Sequence, residues 1–255
     1  MRGNAPLTST KDRRMEIIKL QNVKKQYGGK VIFQDVSLNI SAGSFVVLRG
    51  ESGAGKSTLL NLISGLEVPT SGQIIVDGND IGSLTVAERT NFYRHEIGII
   101  FQGSYLQPQF TLLENITLPG VFAGIPEAER RTRAEQLAQM LGIFDNLKYL
   151  PKEVSGGQAE RACIARALLL NPKIILADEP TSNLDEANAK TVLEILNYIR
   201  QQMGVTIIIA SHSRDVMEFA TQVVTVRGGA ATSELVDMTV MQNNQKATDD
   251  IRGTA

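Results

Sequence analysis

Short apolar runs alternate with helical patterns along much of the chain. The runs Phe45–Leu48, Ile174–Ala177 and Val205–Ala210 are strand-sized, and polar or glycine-containing segments flank each of them. Continuous apolar strands separated by helices are typical of a parallel sheet that is covered on both faces. The pattern therefore predicts an α/β fold around a mainly parallel sheet.

Two other regions follow different patterns. Ile17–Val23 and Ile74–Val76 occur with short polar turns, among them Asp77-Gly78, which favours antiparallel strands. Residues 103–165 are mainly helical in pattern and predict a helical insertion. The apolar positions that mark its clearest helix are Ala134, Leu137, Ala138 and Leu141. A second amphipathic helix is marked by Ala189, Val192, Leu193 and Leu196, between Pro180 and Gly204.

Composition narrows the class of protein. Of 255 residues, 42% are hydrophobic and 21% are charged, values typical of a globular protein. The net charge of −1 gives no general surface for neutralising phosphates, which argues against a nucleic-acid partner. The single cysteine, Cys163, excludes an intrachain disulfide, and no apolar run approaches the ~20 residues of a membrane-spanning helix. Residues 1–15 and 236–255 are polar and are expected to be flexible tails.

The strongest local motif is a glycine-rich loop directly after the first apolar run. The stretch Gly50–Ser57 fits the pattern G-x-x-x-x-G-K-[ST], and it lies between a predicted strand and a predicted helix. Backbone N–H groups of such a loop cradle phosphates, the lysine reaches the β- and γ-phosphates, and the serine hydroxyl binds Mg²⁺. The candidate nucleotide-binding residues are Glu51, Ser52, Gly53, Ala54, Gly55, Lys56, Ser57 and Thr58.

Two adjacent acids follow the second apolar run. Asp178 and Glu179 lie at the carboxyl end of a predicted buried strand, where α/β sheets bind their ligands. Asp178 fits a Mg²⁺-binding role, and Glu179 fits a general base that polarises the attacking water. Kinases, GTPases and motor ATPases share the phosphate loop, but nothing in the sequence suggests the acceptor pocket or lid of a nucleoside kinase.

A further motif resembles that of a known family. Val154-Ser155-Gly156-Gly157-Gln158 precedes a helical segment and resembles the signature of ATP-binding cassette (ABC) ATPases. The remaining motifs of that family occur in the expected order, over roughly residues 16–235. They are the adenine-stacking aromatic at Tyr27, the Q-loop glutamine Gln102, the D-loop aspartate Asp185 and the switch histidine His212.

The resemblance implies a P-loop NTPase (RecA-like) core with an antiparallel β subdomain and a helical subdomain near 103–165. It implies ATP and Mg²⁺ as cofactors, with Gln102 on the metal beside Ser57 and Asp178, and His212 holding the γ-phosphate and the attacking water. In this family the signature of one subunit faces the phosphate loop of a second copy. Ser155, Gly156, Gly157, Gln158 and Asp185 would therefore complete the partner's site.

The resemblance is closest to the macrolide-exporter and lipoprotein-release group. It implies a homodimer bound to separate transmembrane permease subunits at the cytoplasmic side of the cell membrane. Two other classes stay open: a soluble ABC ATPase of DNA repair, chromosome organisation or translation, and a nucleotide-sensing regulator without turnover. The chain also departs from the family pattern, with Ala159 and Glu160 in place of glutamines and Ser213 in place of an aspartate.

Overall fold

A computed structural model describes residues 15–236. The predicted tails lie almost entirely outside these residues. Strands form two sheets. The strands are β1 (Glu16–Tyr27), β2 (Lys30–Ser41), β3 (Phe45–Arg49), β4 (Ser71–Val76), β5 (Asn79–Asp80), β6 (Ile97–Ile100), β7 (Ile174–Asp178), β8 (Thr206–Ala210), β9 (Gln222–Arg227) and β10 (Ala230–Leu235).

Within residues 15–236, six α-helices connect the strands. They are α1 (Lys56–Ser64), α2 (Val86–Glu96), α3 (Leu112–Phe122), α4 (Glu127–Met140), α5 (Gly156–Leu168) and α6 (Glu186–Met203). Each predicted helix forms: α4 buries Ala134, Leu137 and Ala138, and α6 ends at Gly204, whose left-handed φ of 68° suits a glycine C-cap. No helix within residues 15–236 is long and apolar enough to cross a membrane.

The larger sheet has the strand order β10-β9-β3-β8-β7-β6. All of its neighbouring pairs are parallel except β9 and β10. The smaller sheet, β2-β1-β4-β5, is entirely antiparallel. The predicted fold class is therefore confirmed: a parallel P-loop NTPase core carries an antiparallel β subdomain and a helical subdomain.

The core lies on both faces of the parallel sheet because successive side chains of a strand point to opposite sides. On β3, Phe45 and Val47 pack with the helices α3 to α6, whereas Val46 and Leu48 pack with α1 and the antiparallel sheet. This two-sided burial explains why the central strands read as continuous apolar runs. It also places the carboxyl ends of β3, β7 and β8 at one edge, where the candidate site lies.

Candidate functional site

The phosphate loop joins β3 to α1. Gly55 caps the start of α1 with a φ of 108°, and no side chain caps the helix or places an acid in its first turn. The first N–H groups of α1 therefore remain available to an anion. A Cβ at Gly55 would lie 2.9 Å from Cγ2 of Ile32, so both conformation and space favour glycine here.

The loop holds the lysine side chain in a fixed position. Lys56 Nζ donates to the carbonyl oxygens of Gly50 at 2.8 Å and Glu51 at 3.2 Å. Lys56 Nζ also lies 3.1 Å from Nε2 of His212, and Lys56 is buried. The ammonium group is thus aimed by backbone carbonyls at the carboxyl edge of the sheet.

Two neighbouring strands bring the acid and the histidine together. Glu179 follows β7, and His212 lies two residues beyond β8, which pairs in parallel with β7. His212 Nε2 lies 3.4 Å from Oε1 of Glu179. Glu179 has a φ of 48°, an unusual conformation for a residue other than glycine, and its N–H donates to the carbonyl of Ala210 at 2.9 Å.

Lys56, His212 and Glu179 therefore form a continuous chain of contacts. Nε2 cannot serve both neighbours in the same protonation state. Without a proton it accepts a hydrogen bond from Lys56, and with a proton it donates to Glu179. Nε2 of His212 therefore acts as acceptor or as donor according to which of the two neighbours it binds.

These groups face an open cleft of about 500 Å³. The cleft is lined by Ile32, Ser52, Gly53, Gly55, Lys56, Ser57, Thr58, Gln102, Asp178, Glu179, Ser182 and His212. Ser57, Gln102 and Asp178 present the oxygen ligands that Mg²⁺ prefers. Among the described residues no cluster of three or more His, Cys, Asp or Glu side chains could hold a metal ion. This donor set fits a Mg²⁺ that takes its remaining ligands from water and phosphate.

Tyr27 lies at the end of β1 and is held by charged neighbours. Its hydroxyl donates to Oε2 of Glu67, and the ammonium of Lys25 lies 4.7 Å from the ring centroid and 2.7 Å from the same carboxylate oxygen. Burial and the bond to Glu67 raise the pKa of Tyr27, against a smaller opposite effect of Thr58 on α1. Burial would raise the pKa of Glu67, but hydrogen bonds from Lys25, Tyr27 and Asn61 lower it. The ring is thus fixed beside the phosphate-loop helix.

The signature residues start α5, as the sequence predicts. Ser155 is the N-cap: its hydroxyl accepts from the N–H of Gln158, whose side chain in turn accepts from the N–H of Ser155. A Cβ on Gly157 would lie 2.5 Å from Oδ1 of Asn188 on α6. Both carboxylate oxygens of Asp185 bind this asparagine, at 2.9 and 2.6 Å, and these bonds lower the pKa of Asp185.

The signature residues and the D-loop aspartate do not line the cleft of their own chain. None of Ser155, Gly156, Gly157, Gln158 and Asp185 is among the cleft residues. A single chain therefore brings together the phosphate loop, Gln102, Asp178, Glu179 and His212, and leaves the signature elsewhere. The nucleotide-binding roles assigned to the signature residues and Asp185 remain predictions.

The structure adds residues that the sequence reasoning missed. Ile32 lines the cleft, and Glu67 fixes Tyr27. Ser182, the first residue of the D-loop segment Ser182–Asp185 that the family resemblance covers, also lines the cleft. Ile32 and Glu67 carry no local signal, because only the folding of the antiparallel sheet over α1 brings them to the site.

Comparison with known proteins agrees with this geometry. The profile of the family described as ABC transporter matches residues 33–182. The macrolide export ATP-binding/permease protein MacB of Brucella melitensis is 40% identical over 222 residues, which cover 86% of this chain and 34% of MacB. The lipoprotein-releasing system ATP-binding protein LolD of Aquifex aeolicus is 37% identical over 220 residues, covering 86% of this chain and 98% of LolD. The chain thus spans about a third of MacB and nearly all of LolD.

A solved structure has the same fold. It is a dimeric, post-hydrolysis state of an ATP-binding cassette bound to ADP and Pi, with a TM-score of 0.78 and 35% identity over 86% of this chain and 99% of the other. Fold and cleft together define a P-loop nucleotide-binding cassette. The chain belongs to the ABC transporter family.

Proposed function

We propose that this chain is the ATPase subunit of an ABC exporter or force-transmitting machine. Two copies enclose two ATP molecules and drive a separate membrane permease from the cytoplasmic side. The observation that carries the proposal is the chain of contacts from Lys56 through His212 to Glu179 at the cleft. A cassette that only senses nucleotide has no need for a carboxylate and a histidine placed beside the phosphate-binding lysine.

The residues of the cleft divide the work of hydrolysis. Lys56 and the N–H groups of α1 bind the β- and γ-phosphates. Bound to Ser57, Gln102 and Asp178, Mg²⁺ would neutralise developing phosphate charge. Glu179 accepts hydrogen bonds from the attacking water and polarises it. Tyr27 stacks on adenine.

His212 couples these groups. In the described geometry Lys56 donates both to carbonyls and towards His212. When Lys56 turns to a γ-phosphate, Nε2 loses that donor and is free to carry a proton. It then donates to the phosphate or to Glu179, which keeps Glu179 beside the attacking water.

The second copy supplies the missing half of the site. Gly156 and Gly157 open α5, and the N–H groups at a helix N-terminus favour an anion. We infer that this end of α5 reaches the γ-phosphate bound to the other copy. Hydrolysis removes the phosphate that both copies contact, so the dimer opens after each cycle.

An exposed apolar groove is the candidate surface for the permease. It measures about 390 Å³ and lies between β6, α2, α3 and α5. Tyr105 and Phe122 line it and are 70% and 68% exposed. Exposed aromatic groups in a groove mark a protein interaction surface, and the groove adjoins the loop that carries Gln102. Arg166 on α5 donates to the carbonyl of Tyr105 at 2.9 Å and thereby connects the groove to the signature helix.

The test is to capture the partner. Glu179→Gln protein, loaded with ATP and extracted from its native cell in detergent, is expected to retain a permease that mass spectrometry identifies. A matched sample of Lys56→Ala protein controls for contacts that do not need ATP. Recovery of only soluble or nucleic-acid-bound partners would leave the proposed ATPase activity standing. It would favour a soluble ABC ATPase of DNA repair, chromosome organisation or translation over a transporter subunit.

A further inference from the structure

A second, smaller cavity lies behind the nucleotide cleft. It measures about 120 Å³ and lies between the start of α5, the loop after β6 and the segment that follows β7. Glu179 and Ser182 line both this cavity and the cleft. The segment 179–182 is therefore the wall between the two spaces.

Glu160 on α5 lines this cavity with a buried carboxyl group that lacks a hydrogen-bond partner on one oxygen within residues 15–236. The residue is only 5% exposed, and its Oε1 is buried with no hydrogen-bond partner among the described residues. Burial of an unpartnered carboxylate is costly, whereas a protonated carboxyl can donate to a nearby oxygen. Burial accordingly raises the pKa of Glu160 to about 7, against a smaller opposite effect of Arg166.

The charged and titratable groups around Glu160 compensate only in part for its burial. On α5, Arg166 donates to the carbonyls of Ser104 and Tyr105, and the buried Cys163 donates to the carbonyl of Ser104. The loop after β6 contributes Gly103 and Ser104 to the cavity, and neither titrates. The segment after β7 contributes Glu179, which His212 contacts from the cleft side. Ionised Glu160 would thus place a second negative charge behind the wall that carries Glu179.

We propose that Glu160 is a positioning residue for hydrolysis, whose protonated carboxyl keeps the segment 179–182 packed with Glu179 directed to the nucleotide. The proposal rests on the ATPase function proposed above. Ionised Glu160 requires water or a cation donor to complete its hydrogen bonds, and water drawn into the cavity loosens the packing of the segment 179–182. Deprotonation of Glu160 therefore lowers the rate of the chemical step and leaves ATP binding unchanged.

The test compares pH profiles of ATP hydrolysis by the full chain. Glu160→Gln keeps the shape of the neutral acid, and Glu194→Gln on exposed α6 surface is the matched control for lost charge. Wild type and Glu194→Gln are expected to lose kcat above pH ~7, approaching about tenfold per pH unit, while Glu160→Gln keeps its rate. KM for ATP is expected to match in all three.

Coincident profiles for wild type and Glu160→Gln would overturn the proposal and leave the proposed ATPase intact. If the wild-type chain does not hydrolyse ATP, both the role proposed for Glu160 and the proposed ATPase function are overturned.

Thermal unfolding provides a readout independent of turnover. Because the folded pKa of Glu160 lies above its ordinary value, folded wild type binds more protons than the unfolded chain between pH ~4.5 and 7, and its stability falls across that range. The midpoint of Glu160→Gln is therefore expected to rise relative to wild type over this range. Glu160→Met, which also cannot ionise, serves if the glutamine variant does not fold. A midpoint difference that does not change with pH would contradict a buried neutral acid.

Discussion

The molecule has two unlike edges. The phosphate-loop edge carries Lys56, Glu179 and His212, and the signature edge carries Ser155 and Asp185 at the starts of α5 and α6. They differ in how complete a site each one forms. At the first edge, one chain places a lysine, a histidine and a glutamate in contact, with distances of 3.1 and 3.4 Å. At the second edge, Ser155 and Asp185 cap their own helices and do not line the cleft. The difference teaches that the chain carries two unlike half-sites, one for the chemistry and one for a neighbouring copy.

The largest expected effect is at the complete edge. Glu179→Gln removes the general base and keeps the shape of the side chain, so hydrolysis is expected to fall by about 10²–10⁴-fold. ATP binding persists, and ATP-bound dimers accumulate. Phosphate release and sedimentation velocity measure the two effects. Unchanged turnover would remove Glu179 from the mechanism.

The incomplete edge is tested by Gly156→Asp. A Cβ at Gly156 makes only an ordinary contact, 3.4 Å from Cδ2 of Leu184, and an acid suits the first turn of a helix. The fold is therefore expected to persist, while a carboxylate at the anion-binding end repels the partner's γ-phosphate. Hydrolysis is expected to fall by about 100-fold, an effect comparable to losing one preorganised donor to a developing charge. Equal turnover in wild type and variant would show that this edge takes no part.

The groove separates coupling from chemistry. Phe122→Ser removes an exposed aromatic group that lies outside the cleft, so basal hydrolysis is expected to stay within about twofold. Recovery of the permease with the cassette is expected to fall about tenfold, as for the loss of an interface anchor. Tyr198→Ser, an exposed aromatic on α6 outside the groove, is the matched control. Equal recovery of the permease with both variants would show that the groove is not the docking surface.

The smallest expected effect is at Tyr27. Glu67→Gln weakens the contacts that fix the ring, because a neutral amide binds Lys25 and the tyrosine hydroxyl less strongly than a carboxylate. KM for ATP is expected to rise by about two- to fivefold with kcat unchanged, which is the signature of lost uniform binding. Glu88→Gln in the exposed capping box of α2 serves as control. A change in kcat alone would contradict the assignment.

Sequence reasoning could place the residues of the phosphate-loop edge close together because they follow strands directly. The motifs at Lys56 and Asp178-Glu179 each combine a local pattern with a strand end, and parallel strands bring their carboxyl ends to one edge. The signature also carried a local signal, because Ser155 and Gln158 form a capping box that starts α5.

What the sequence could not predict depends on packing between distant segments. Glu160 is visible in the sequence only as a departure from the family pattern, and its burial behind Glu179 requires the fold. The contact of Glu67 with Tyr27 spans 40 residues and depends on how the antiparallel sheet lies over α1. Helix α2 is mostly polar and buries only Phe92, so its sequence has no apolar periodicity that predicts a helix.

The most direct test of the two half-sites is a mixed dimer. Lys56→Ala disables the phosphate loop, Gly156→Asp disables the signature, and each homodimer is expected to be inactive. In a heterodimer purified with two different tags, one site carries both defects and the other carries none. The account predicts that this heterodimer regains up to about half of the wild-type rate, because one of two symmetric sites is intact. A heterodimer as inactive as its parents would contradict the account.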